Sequence, residues 1–135
     1  MGKFTNLECS GKRILIVDDE PELLSIIKFI LLRCESLPIL AKDVLLAQEI
    51  VLAGGIDLVI CDMNMPDMTG LDFLEWLKAN SPVPFVLMTG SNEIEKYGDP
   101  KMLGISGILT KPFVKKDLIE QVAACFCGLD ARKAG

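Results

Sequence analysis

Short apolar runs alternate along the chain with stretches whose apolar residues recur at helical spacing. The first run, Arg13-Ile14-Leu15-Ile16-Val17, is rich in β-branched residues and reads as a buried strand. Leu23, Ile27, Ile30, Leu31 and Cys34 then recur at helical spacing. Pro21 suits the first turn of that helix, where its missing N–H costs nothing. Residues 38–41 predict a short, weaker strand. Asp43 is placed to cap a second helix with apolar positions Val44, Ala47, Ile50 and Val51, and Gly54-Gly55 closes it.

The run at 57–61 is apolar on every position from Leu58 to Cys61, as expected of a strand covered on both faces. It delivers Asp62, after which Pro66, Asp67 and Gly70 stop the strand from continuing. Leu71, Phe73, Leu74 and Leu77 mark a third helix ending near Asn80, and Phe85-Val86-Leu87-Met88 is a fourth strand delivering Thr89-Gly90. Tyr97-Gly98-Asp99-Pro100 puts a helix breaker where a fourth helix should run, and Asp99-Pro100 reads as a fresh cap followed by a first-turn proline. The fourth helix is therefore expected to be short, or broken before Asp99. Gly107-Ile108-Leu109 is a last short strand leading to Thr110-Lys111-Pro112, and Leu118, Ile119, Val122, Ala123 and Phe126 form the apolar face of a final helix.

The order is βαβαβαβαβα. Parallel neighbours need crossover connections, so this alternation predicts an α/β fold, a parallel sheet with helices on both faces. One domain over 13–127 is expected, with a flexible lead-in at 1–12 and a polar, fraying tail at 128–135. No internal repeat or linker divides the chain of 135 residues.

Composition narrows the function. A formal charge of −5 leaves no basic stripe for nucleic acid, and Lys111, Lys115 and Lys116 are the only local basic cluster. No apolar run approaches the roughly 20 residues of a membrane span, and the first residues lack a secretory core, so a cytoplasmic location is expected. The absence of histidine removes a Ser-His-Asp triad, a histidine metal site and a phosphohistidine carrier. Five cysteines without metal-finger spacing predict free, mostly buried thiols, with redox sensitivity at Cys9 or Cys127 as the alternative.

The chemistry gathers at the strand ends. Open α/β sheets bind ligands outside the carboxyl ends of their strands. Asp18 and Asp19 follow the first strand, Asp62 the third, Thr89 the fourth and Lys111 the fifth. Three carboxylates in one crevice repel unless balanced, and one lysine is not enough. A hard divalent cation on an all-oxygen site, Mg²⁺ by choice, is the natural counter-charge. With that balance Asp62 can attack phosphorus in line, while Thr89 and Lys111 hold the other oxygens of the transferred group. Taken singly, each residue has a plainer role: Asp18 or Asp19 as a helix cap, Asp62 as a turn residue, Thr89 as a strand-end hydroxyl, Lys111 as a surface charge. Met63, Met65, Met68 and Trp76 read as packing or partner contacts rather than as catalytic groups.

In order, the acidic pair Asp18-Asp19, Asp62 followed by Met65-Pro66 and Gly70, Thr89 followed by Gly90, and Lys111-Pro112-Phe113 resemble a response-regulator receiver domain. The likeness runs from about Arg13 to Phe126. It implies a doubly wound, flavodoxin-like five-stranded sheet of order 2-1-3-4-5 with five helices. It also implies that Asp62 is the phosphoacceptor, that Asp18, Asp19, Asp62 and the backbone carbonyl of Asn64 hold Mg²⁺, and that Glu20 contributes near the metal. By the same likeness Lys111 pairs first with Asp62 and then with phosphate, and Thr89 moves to the phosphoryl oxygen. The implied donor is a histidine kinase or a histidine phosphotransfer protein, and the only chemistry is self-phosphorylation and its reversal by hydrolysis.

Receivers commonly carry Tyr or Phe three residues before the lysine, whereas this chain has Ile108. With the break at Gly98-Asp99-Pro100, that predicts signalling through helix order on the fourth-helix, fifth-strand and fifth-helix face rather than through aromatic rotation. Two other functions compete. A Mg²⁺-dependent aspartyl-phosphate phosphatase would often place a second aspartate two after the nucleophile, where this chain has Asn64. A degenerate receiver serving only as a binding module would not need Asp62, Thr89 and Lys111 together. The chain reads either as a single-domain regulator or as a receiver cut from a longer protein.

Overall fold

The computed structural model describes residues 9–90 and 93–134, and side chains for 9–90 and 94–126. Five parallel strands, β1 (Arg13–Val17), β2 (Leu37–Ala41), β3 (Leu58–Asp62), β4 (Phe85–Thr89) and β5 (Gly107–Thr110), form one sheet in the order β2-β1-β3-β4-β5. The helices are α1 (Pro21–Arg33), α2 (Val44–Ala53), α3 (Gly70–Asn80), α4 (Pro100–Leu103) and α5 (Lys115–Ala134). The expected order and helix count hold. Most of the expected lead-in, 1–8, and the Cys127 side chain lie outside the described residues.

Alternation along each strand divides the core in two. Ile14, Ile16, Ile60 and Met88 face one way, onto Ile27 and Leu31 of α1 and Leu118 and Val122 of α5. Leu15, Val17, Cys61 and Leu87 face the other way, onto Val44 of α2 and Phe73 and Leu77 of α3. β3 and β4 are buried along their whole length, which is why their sequences show no polar alternation. Each such Leu or Ile contributes roughly 1.5–3 kcal/mol by leaving water. Met63 and Met65 are buried, and Trp76 stacks on Phe73 at 5.8 Å, in keeping with packing roles.

The helix ends follow local chemistry. Asp43 accepts from the Leu46 N–H at 2.8 Å and Thr69 from the Asp72 N–H at 3.1 Å, each filling an orphan donor of a first turn. The fourth connection is broken as its sequence predicts. A 3-10 turn over Glu93–Tyr97 stops at Gly98, and Asp99 then caps the one-turn α4 through the Lys101 N–H at 3.0 Å. Pro100 cannot donate to a preceding turn, which disfavours a continuous helix across this point.

Strand order reverses at β1, which has β2 on one side and β3 on the other. The crevice at that switch point opens beyond Val17 and Asp62.

Candidate functional site

β1 hands its last backbone bond to Asp18, whose N–H donates to the Ala41 carbonyl at 3.1 Å. The side chain is fixed too. One Asp18 oxygen accepts from the Glu20 N–H at 2.8 Å, and the other lies 3.2 Å from Lys111 Nζ. Glu20 is the residue at the α1 cap and makes no side-chain capping bond, so Asp18 serves the loop and the crevice rather than the helix. Asp18 is wholly buried, whereas Asp19 is exposed at the mouth.

Asp62 is the last residue of β3 and buried, with its neighbour Met63 still donating to the Met88 carbonyl at 2.8 Å. β4 thus holds the backbone at Asp62 in register up to the strand end. The loop beyond it folds back sharply: Asn64 bridges to Thr69, and the Gly70 N–H reaches the Met63 carbonyl at 2.7 Å. Gly70 is required by this approach, because a Cβ there would stand 2.5 Å from the Asp62 carbonyl oxygen and 3.0 Å from Met63 Cα. α3 therefore begins directly against the strand end that carries the carboxylate.

Lys111 follows β5, its N–H donating to the Thr89 carbonyl at 2.7 Å, and the peptide to Pro112 is cis. Its ammonium sits 3.0 Å from Asp62 Oδ1 as well as 3.2 Å from Asp18. Asp18 as a second partner becomes visible only when β1 and β5 deliver their ends to one crevice. Burial disfavours the Lys111 ammonium, but the two carboxylates outweigh it and hold its pKa above the ordinary lysine value. Thr89 is buried at the end of β4, one step beyond Met88, the register partner of Asp62, and its hydroxyl donates to the Gly90 carbonyl at 3.2 Å.

The carboxylates of Asp18, Asp19 and Asp62 each place an oxygen within 4.8 Å of the others. The Asp62 carboxyl is pushed above the usual range first by burial and then by the charges of Asp18 and Asp19, against the pull of Lys111. Three carboxylates against one ammonium leave two negative charges uncompensated. This donor set is all oxygen, partly open, and matched to a hard divalent ion, so the acidic group is able to bind a metal.

Asp67 was missed as more than a turn residue. Its carboxylate reaches across to the start of α2, accepting from the Val44 and Leu45 N–H groups at 3.2 Å each. Only the helix start at Asp43 hinted at it, since a second anion near open amides is favourable.

The response regulator receiver domain family matches the chain over residues 14–123, which spans every element of this crevice. The chain belongs to that family. Among similar proteins, a two-component response regulator of Oryza sativa is 32% identical over 110 residues, covering 80% of this chain and 16% of its own. The cell cycle transcriptional regulator CtrA of Caulobacter vibrioides is 32% identical over 116 residues, 83% of this receiver and 49% of CtrA. The receiver thus spans about half or less of these relatives. A receiver domain protein from Clostridium thermocellum superposes with a TM-score of 0.81 at 27% identity, covering 89% of this chain and 98% of that one. TrrA from Thermotoga maritima, solved in complex with Mg²⁺-BeF, superposes at 0.73 with 28% identity over 82% of this receiver and 96% of TrrA. Receivers pair with histidine kinases in two-component signalling and are not enzymes in the ordinary sense. Among the described residues, no helix is long and apolar enough to cross a membrane.

Proposed function

We propose that this receiver, as a unit over 13–127, accepts a phosphoryl group on Asp62 from a phosphohistidine donor. That donor is a histidine kinase or a histidine phosphotransfer protein. The observation that carries the reading is the convergence of Asp18, Asp19 and Asp62 within 4.8 Å, with Lys111 Nζ 3.0 Å from Asp62. An Asp62 carboxylate oxygen attacks phosphorus, the P–N bond to the donor imidazole breaks, and the imidazole nitrogen keeps the electron pair. Asp18, Asp19, Asp62 and the backbone carbonyl of Asn64 would hold Mg²⁺, the ion named with the Thermotoga relative. Bound there, the cation supplies neutralisation of the nucleophile and of the incoming phosphoryl oxygens.

Lys111 is already poised between two carboxylates, so it can leave Asp62 for a phosphoryl oxygen while keeping Asp18. Thr89 turns its hydroxyl from the Gly90 carbonyl to another of those oxygens. Readout passes to the face made by α4, β5 and α5. Ile108 stands there in place of an aromatic residue and packs on the α3 side of the sheet with Ile94 and Ile105. The phosphorylated state shifts the order of 93–104 rather than an aromatic rotamer.

Incubation with acetyl phosphate or phosphoramidate and Mg²⁺, followed by intact mass measurement, tests the central step. One added phosphoryl group on the wild type and none on Asp62→Asn is expected. An unmodified wild type, or equal modification of the variant, overturns the assignment. Hydrogen exchange with and without beryllofluoride tests the readout, and unchanged protection across 92–108 would count against it.

A further inference from the structure

At the end of the sheet remote from Asp62, two thiols meet under a backbone strap. Residues 9–12 turn back on themselves, the Lys12 N–H donating to the Cys9 carbonyl at 3.1 Å. The same turn is tied to the far end of α1, with the Gly11 N–H on the Glu35 carbonyl and the Leu37 N–H on the Lys12 carbonyl, both at 2.8 Å. Cys34 is the cap residue of α1, and Glu35 leaves the helix in the left-handed region at φ 64°. Ser36 then returns its hydroxyl to the Leu31 carbonyl at 2.8 Å, so the backbone around Cys34 is held on both sides. Cys9 and Cys34 are buried in the same cluster, and a side-chain hydrogen bond links the two thiols.

We propose that Cys9 and Cys34 form a reversible disulfide that staples the 9–12 turn to the end of α1, with a low-molecular-weight disulfide such as oxidised glutathione as the oxidant. The Cys34 thiolate attacks one sulfur of the small disulfide, forming a mixed disulfide and expelling the first small thiolate. The Cys9 thiolate then attacks Cys34 Sγ, the mixed bond breaks, and the second small thiolate leaves. The pair loses two electrons and two protons. The small disulfide gains both electrons, and the protons end on the released thiols or in solvent. Burial raises the Cys34 pKa, but the Cys9 thiol and the Lys115 ammonium pull against that rise, which favours Cys34 over Cys125 as the first attacker. Cys125 lies in the same cluster with burial alone acting on it, which pushes its thiol up to about 11 and leaves little thiolate. The staple rests on none of the phosphoacceptor chemistry.

The test uses the full chain. After incubation with oxidised glutathione, the protein is unfolded in denaturant, alkylated with iodoacetamide and mapped by peptide mass. Two of the five cysteines should escape alkylation, with a loss of two hydrogens in mass and a Cys9–Cys34 crosslinked peptide, all reversed by dithiothreitol. The oxidised form should also melt at a higher temperature. Cys9→Ser should stop at one glutathione adduct on Cys34, while Cys125→Ser should oxidise like the wild type. Five alkylated cysteines after oxidation, or a crosslink that joins Cys125 or Cys127 instead, overturns the proposal. The wild-type map decides this even where a variant folds poorly.

Discussion

The two ends of the sheet handle polar groups in opposite ways. At the amino ends of the strands, charged residues are spent on backbone: Asp57 accepts from the Arg13 N–H at 2.8 Å, and its own N–H donates to the Arg13 carbonyl at 2.8 Å. At the carboxyl ends, three carboxylates crowd together and two of them share one ammonium. The first arrangement closes the edge of a fold. The second holds charge in readiness, at some cost to the fold, as expected where binding or catalysis is the purpose.

The largest way to break this contrast is to disturb the backbone that presents Asp62. Gly70→Ala drives a methyl against the Asp62 carbonyl and Met63, neither of which is a flexible side-chain tip. A loss of about 3 kcal/mol in urea unfolding is expected, together with loss of phosphoryl labelling. Lys111→Met comes next, stranding Asp62 and Asp18 without their shared cation. It should cost about 2 kcal/mol at neutral pH, and Mg²⁺ should recover much of that in thermal melts.

Asp62→Asn sharpens the contrast in the other direction. The Asp62 pKa is raised in the folded state, chiefly by burial. Folding therefore favours its protonated form, and stability is lost as pH rises from the ordinary carboxylate value through the raised one. The variant should melt higher than the wild type at pH 7 without divalent ions. Its advantage should vanish below the ordinary carboxylate range. The smallest effect belongs to the amino end. At φ 64°, Glu35 occupies a conformation that costs a side-chain-bearing residue ~1–2 kcal/mol. Glu35→Gly relieves this against glycine's own entropic cost and should gain about 0.5 kcal/mol by chemical denaturation.

The strands, their alternation with helices and the interrupted fourth helix were legible because each depends on residues close together in the chain. Asp99-Pro100 states its own cap, and Leu58 to Cys61 states its own burial. The set Asp18, Asp19, Asp62 and Lys111 was legible for a different reason: residues at successive strand ends must converge once the sheet is parallel. Distances between segments were not legible. Nothing in the sequence near Lys111 says that Asp18 shares it, and nothing near Gly70 says how closely α3 approaches β3. Both follow from how the layers pack, a property of the whole molecule.

Asp67 gives the loop after Asp62 a second attachment, away from the crevice. Because its carboxylate holds the Val44 and Leu45 amides, any movement of the loop is felt at the first turn of α2. Those two amides thus act as built-in gauges. Their NMR shifts register the tension in the loop without touching the site itself, and Asp67→Asn recalibrates the gauge while leaving the Asp62 carboxylate in place.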